Sequence, residues 1–117
     1  MTRRIPKPWG HEVIWAETAS YAGKILHIEQ GKRLSYQFHR IKDETIYVIS
    51  GVLELTVARG HTFEKMQLSP GESFHIPAGM RHRMHALETC EVVEVSTPHL
   101  SDVVRIEDDF GRTSDHG

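Results

Sequence analysis

The sequence predicts an all-β domain, an antiparallel sandwich or barrel, on three observations. Short runs rich in Val, Ile, Tyr and Phe recur along the chain, several of them alternating apolar with polar residues. Helical periodicity is hard to find. Turn signals built from Gly, Pro and Ser separate the runs at the spacing that such folds use. With 117 residues the chain has enough material for one core and not for two. A single domain is expected over residues 1–110, followed by a flexible tail at 111–117, where GRTSDHG is small and polar.

The elements follow in order. YAGKILHIE (residues 21–29) and ETIYVIS (44–50) are predicted strands from their β-branched and aromatic content. VLELTVA (52–58) keeps a period of two, so Leu53, Leu55 and Val57 point inward while Glu54 and Thr56 point out. The pair around Ser50-Gly51 is expected to form a hairpin. ARGH, SPGE and PAGM mark later turns, with strands predicted at ESFHIP (72–77) and CEVVEVS (90–96). No internal repeat or low-complexity linker interrupts them.

Composition excludes several classes of function. Hydrophobic residues make up 38% and charged residues 26%, as in ordinary globular domains. The formal charge of −2 gives no reason to expect nucleic acid or an anionic membrane as a partner. No apolar run approaches the roughly 20 residues needed to cross a bilayer. MTRRIPKPWG has two arginines but no apolar segment behind them, so it does not read as a signal peptide. Cys90 has no cysteine to pair with, which fits a reducing compartment, and a cytoplasmic location is expected. The nine histidines are the unusual count, and they point to metal or acid–base chemistry.

Two segments locate that chemistry. Gln37 and His39 are two apart on an extended stretch, so their side chains leave by the same face. A tight connection brings Glu44 back beside them, and PGESFHIPAGMRH (residues 70–82) supplies a second turn ending at His82. If the segments pair inside a barrel, Gln37, His39, Glu44 and His82 converge. Two imidazoles, one carboxylate and one amide oxygen suit a divalent ion. The bound dication would keep net positive charge and attract anionic or carbonyl oxygens. His75 lies on the strand entering the second turn and is a pocket candidate. Arg83 suits a substrate phosphate, although on a strand it leaves by the face opposite His82, so its stem would have to curl round the rim. Lys24 is a further candidate. His11, His27, His61, His85, His99 and His116 read individually as solvated or core residues, Trp9 and Trp15 as packing residues, and EDDF (107–110) as a solvated terminal segment.

The spacing resembles a known family. G-x5-Q-x-H-x4-E-x6-G, carried by Gly31, Gln37, His39, Glu44 and Gly51, is similar to the first cupin motif with Gln replacing its first His. G-x5-P-x-G-x2-H, carried by Gly71, Pro77, Gly79 and His82, resembles the second, with Ala86 where that motif closes in Asn. LS-x-Q-x-H, together with PWG (8–10), Tyr21 with Lys24, IP-x-G-x2-HR (76–83) and SDVVRIEDDFGR (101–112), resembles the cupin domain of type II mannose-6-phosphate isomerases. That domain is often fused behind a sugar-nucleotide pyrophosphorylase. This sequence differs from it at HRIKDE after the ligand His, at ETI around the glutamate, and after HR. It carries no Gly-rich nucleotide motif.

The resemblance implies a double-stranded β-helix, a jelly-roll-like barrel, with a divalent metal on Gln37, His39, Glu44 and His82. It implies interconversion of an aldose and a ketose phosphate, with mannose 6-phosphate and fructose 6-phosphate the expected pair. Zinc suits that role, and iron, manganese and nickel are alternatives. Lys24, His75 and Arg83 are the expected catalytic or substrate-holding residues, and Lys24, Arg33, Arg81 and Arg83 the basic residues for phosphate. Two His and one Glu also describe the facial triad of non-haem iron dioxygenases, and a cupin that binds metal and sugar without catalysis is a third reading. The expected partners are a small sugar phosphate and, through strand edges and IPKPWG (5–10), a second copy in a homodimer.

Overall fold

The computed structural model describes residues 2–113, which hold eleven strands and no helix. The strands are β1 (Arg3–Lys7), β2 (Gly10–Glu17), β3 (Ala22–Ile28), β4 (Tyr36–Phe38), β5 (Glu44–Ser50) and β6 (Leu53–Arg59). They continue as β7 (Thr62–Leu68), β8 (Ser73–Ile76), β9 (His82–Ala86), β10 (Cys90–Ser96) and β11 (Val104–Glu107). They form two antiparallel sheets, one of six strands in the order β1-β2-β3-β10-β5-β8 and one of five in the order β11-β4-β9-β6-β7. Among the described residues no helix is long and apolar enough to cross a membrane.

The core lies between the sheets. Leu26, Ile28, Ile46, Val48 and Val92 come from the six-stranded sheet, and Leu53, Leu55, Val57, Met84 and Ala86 from the other. Along β6 the burial alternates as its sequence requires, with Leu53, Leu55 and Val57 buried and Glu54 and Thr56 turned outward. Full burial of such aliphatic side chains stabilises by about 1.5–3 kcal/mol each. All five predicted strands are present, and β5 and β10 coincide with their predicted runs.

The structure corrects the expected hairpin at Ser50-Gly51. β5 pairs with β10 and β8, whereas β6 pairs with β9 and β7, so this turn carries the chain from one sheet to the other. Gly51 makes that crossing with φ +82°, and a side chain there would run into the Thr89 carbonyl. The hairpin instead joins β6 to β7 through Gly60 and His61. EDDF also differs from expectation. Asp108 is tied to Arg112, Asp109 to Arg33 and Arg83, and Phe110 packs against the core. Residues 114–117 of the expected tail lie outside the described residues.

Candidate metal centre

The strand pairing builds the site from both sheets. Gln37 on β4 lies directly across from His82 on β9. His39 follows just past the end of β4, and Glu44 opens β5 in the opposite sheet. The intervening loop is wrapped around Asp102, two residues ahead of β11. The Asp102 carboxylate accepts the backbone N–H groups of Arg40, Ile41 and Lys42 at 3.1, 2.7 and 2.8 Å. Burial alone would raise its pKa, but these three donors outweigh burial and hold the carboxyl below its ordinary range.

Both histidines are oriented by backbone carbonyls. His39 Nδ1 donates to Asp102 O at 2.6 Å and His82 Nδ1 to Met80 O at 2.9 Å. A carbonyl can only accept, so each Nδ1 carries the hydrogen and Nε2 is the atom of each ring left to face the site. Burial pushes the pKa of His82 down, which keeps that ring neutral.

His39, Glu44 and His82 each present a ligand atom, and these atoms lie within 4.8 Å of one another, all buried. His39 Nε2 is 3.0 Å from Glu44 Oε2, and Lys42 Nζ is 3.2 Å from the same oxygen. Even so, His39 Nε2, both Glu44 oxygens and His82 Nε2 are shielded from water and have no well-directed hydrogen bond. Unsatisfied buried polar atoms are costly, and a cation among them would satisfy all four. Ligands about 2.1 Å from a shared ion stand about 3.4 Å apart in a tetrahedron. The observed spread therefore closes around an ion with small side-chain movement. Burial would raise the pKa of Glu44, but the His39 ring and the Lys42 ammonium hold it down at about 2. Glu44 is thus a carboxylate at neutral pH.

Above this triad opens a cavity whose walls include Lys7, Lys24, Gln37, His39, Arg105 and Arg112. Gln37 faces the cavity with its amide oxygen accepting a 2.6 Å hydrogen bond from Ser35 Oγ. Lys24 is buried in the wall, its ammonium 3.4 Å from both oxygens of Glu12. Lys42 bridges Glu94 at 2.8 Å and Glu44, and these carboxylates overcome burial to hold its pKa above the ordinary value. Burial, partly offset by Glu12, pushes Lys7 below its ordinary value, with the charges of Lys24, Arg105 and Arg112 adding to the shift. Burial and then the Arg112 charge do the same to Arg105.

Two expected catalytic residues stand elsewhere. His75 pairs across β5 with Thr45, the neighbour of inward-facing Glu44, so its side chain leaves by the outer face. It is exposed there and meets Asp43 at 2.7 Å. Arg83 also faces outward, and its stem does not curl round the rim. Its Nε donates to Leu34 O at 2.8 Å and its guanidinium meets Asp109 at 3.0 Å. Arg33 binds the same carboxylate, Arg81 lies over the Phe38 ring, and His85 shares the outer face with Arg83. Of the four basic residues expected at phosphate, Lys24 alone lines the cavity. Sequence reasoning missed Lys7, Lys42, Asp102, Arg105 and Arg112; the last three lie inside SDVVRIEDDFGR, a segment singled out without a role.

Comparison with known proteins agrees with this fold. A family model described as Cupin domain matches residues 24–96. The xanthan biosynthesis protein XanB of Xanthomonas campestris pv. campestris is 34% identical over 116 residues, 95% of this chain and 24% of that protein. The mannose-1-phosphate guanylyltransferase ManC of Salmonella typhimurium is 31% identical over 117 residues, 96% of this chain and 24% of that protein. The chain thus spans about a quarter of the length of these curated relatives. Among solved structures, KdgF from Halomonas sp. superposes with a TM-score of 0.71 at 26% identity, covering 85% of this chain and 88% of that one. An oxalate decarboxylase from Bacillus subtilis superposes with a TM-score of 0.79 over 90% of this chain and 30% of that one. At 16% identity that likeness concerns the fold alone.

Proposed function

The chain belongs to the Cupin domain family, and from that premise we propose that it is a divalent-metal-dependent isomerase of a phosphorylated sugar. Mannose 6-phosphate and fructose 6-phosphate are the proposed pair. The observation that carries this reading is the buried triad of His39, Glu44 and His82, with its unsatisfied ligand atoms, beside a cavity rich in cations. Similarity to a mannose-1-phosphate guanylyltransferase adds a mannose phosphate to the chemistry of a relative.

Aldose–ketose isomerisation moves a proton between adjacent carbons through an enediolate. A dication held by the triad supplies carbonyl polarisation and charge stabilisation without changing oxidation state, which favours zinc. Glu44 and the Nε2 atoms of His39 and His82 would hold it. Lys24 and Glu12, in contact at 3.4 Å inside the cavity, provide an adjacent proton donor and acceptor. General acid–base transfer of this kind contributes about 100- to 10,000-fold to rate. Trp9, Leu26 and Leu34 line the same cavity and limit water around the reacting carbons.

Elemental analysis of the native protein, followed by a coupled isomerase assay with the metal found, tests the proposal. Turnover of mannose 6-phosphate that disappears on chelation is expected. Metal-loaded protein that turns over no aldose phosphate overturns the reading. One observation favours a second reading, a non-haem iron oxygenase. His39, Glu44 and His82 are the two-His, one-carboxylate set of an iron facial triad. Iron in the elemental analysis together with substrate-dependent oxygen consumption would select it.

A further inference from the structure

The cations lining the cavity are unequally neutralised. Lys42 is held by Glu94 and Glu44, and Lys24 by both oxygens of Glu12. Arg112 makes a two-pronged contact with Asp108 at 2.9 and 3.0 Å. Arg105 differs from all of these. Among the described residues, no carboxylate lies within ion-pair reach of its guanidinium, which also makes no hydrogen bond. Lys7 has only Glu12 at 3.9 Å, a carboxylate it shares with Lys24. Both Lys7 and Arg105 are half-buried and line the cavity. Two partly desolvated cations without dedicated counter-charges are disfavoured unless an anion joins them.

Strand register places this unmet charge relative to the metal ligands. Arg105 on β11 pairs with Gln37 on β4, and Gln37 pairs with His82 on β9. Directly paired residues project on the same face, so Arg105, Gln37 and His82 form one cross-strand row on the inner side. Neighbouring strands are about 4.8 Å apart, which sets Arg105 two spacings, about 10 Å, from His82 at the backbone. The two side chains extend into the shared interior. A six-carbon chain can thus place one end at the metal ligands and the other at the guanidinium.

We propose that Arg105 and Lys7 form an anion subsite that takes the phosphate group of the substrate, with the carbonyl end directed toward His39, Glu44 and His82. The guanidinium offers paired N–H donors matched to phosphate oxygens, and the ammonium adds a point charge from β1. Identification of the anion as a sugar phosphate rests on the isomerase reading; the subsite is tested apart from it.

The test titrates inorganic phosphate into the full chain by calorimetry, comparing wild type with Arg105→Gln, Lys7→Gln and, as a control at an exposed pair, Arg59→Gln. Removal of one charge-assisted contact should weaken phosphate binding about 10- to 100-fold in Arg105→Gln. Arg59→Gln should match wild type, and Arg105→Lys should restore part of the loss. If Arg105→Gln fails to fold, Arg105→Lys and Lys7→Gln carry the test, and each should weaken binding. Wild type that binds no phosphate at millimolar concentration, or folded Arg105 and Lys7 variants that bind it as wild type does, overturns the subsite. Phosphate binding lost in Arg105→Gln, without isomerase turnover by wild type, retains the subsite and removes the isomerase reading. Turnover of mannose 6-phosphate with an unchanged KM in Arg105→Gln retains the isomerase and removes the subsite.

Discussion

Replacing Asp102 with alanine removes the carboxylate around which residues 40–42 are wrapped. Three backbone N–H groups lose an acceptor at 2.7–3.1 Å. Charge-assisted bonds contribute about 1.5–3 kcal/mol each, but Arg40 and Ile41 are exposed, so water replaces much of what they lose. Lys42 is buried and its N–H has no such replacement. A net loss of about 2–4 kcal/mol follows, which at about 4 °C per kcal/mol lowers Tm by about 8–16 °C. The backbone carbonyl that accepts from His39 Nδ1 survives the substitution but is no longer anchored to the loop. Loss of such outer support costs about 10- to 100-fold in metal affinity. Thermal unfolding followed by circular dichroism reads the first effect, and metal retained after dialysis reads the second. Asp102→Asn keeps one acceptor oxygen and should fall between. A variant that melts with wild type and retains metal equally would refute this account of how His39 is positioned.

Other consequences follow from the same geometry. His39→Ala and His82→Ala should each lose most bound metal by elemental analysis, because each removes a nitrogen ligand, while Gln37→His should retain it. Arg83→Ala should lower stability by about 1–2 kcal/mol through its contacts to Leu34 and Asp109, and leave KM for sugar phosphates unchanged in a steady-state assay. Burial pushes the Cys90 thiol up to about 11, so the folded state keeps its proton longer than the unfolded state. That contribution is complete below the ordinary thiol value near 9 and is lost as pH rises toward 11; urea midpoints should fall more over that range for wild type than for Cys90→Ala. The proposed homodimer should appear in sedimentation at micromolar concentration, with β1, an edge of the six-stranded sheet, as the contact to disrupt.

The legible parts of the fold were its apolar strands. ETIYVIS and CEVVEVS were legible as β5 and β10 to the residue because both are interior strands of their sheet with a run of β-branched or aromatic residues at their centre. β4 and β9 escaped for the opposite reason. YQF is short, and HRMHA puts His82 at an inward position and Arg83 and His85 at its outward ones, so the chemistry displaces much of the pattern that would reveal the strand. The triad was accessible from spacing, since His39 and Glu44 are five residues apart and His82 closes a second motif of its own. The outward direction of Arg83 also followed from strand parity. The contacts that hold it there did not, because Leu34 and Asp109 are distant in sequence. Asp102 and Arg105 lie beyond spacing arguments for the same reason. They meet residues 37–42 through β11, and only the β4–β11 pairing brings them there.

The interior therefore divides into two physical regimes. Between Ile28, Ile46, Leu53, Leu55 and Val92 it is an ordinary apolar core. Around Glu12, Lys24, Lys42, Glu44 and Glu94 it contains buried charge, which a stable fold does not require. Buried ion pairs repay their desolvation only with good geometry, and apolar replacements of similar volume are often neutral or stabilising. Lys24 and Glu12 meet at 3.4 Å, too far for a strong charge-assisted bond, so their contribution to stability is small. Lys42 also shares its charge between two carboxylates, one of which the metal would neutralise. A dication held by Glu44 would leave Lys42 its second carboxylate partner, Glu94, now 2.8 Å away. The charge network can then accept the ion without leaving a buried ammonium unpaired. That property is of use to a binding site and of no use to an apolar core, which places the polar half of this barrel on the side of function.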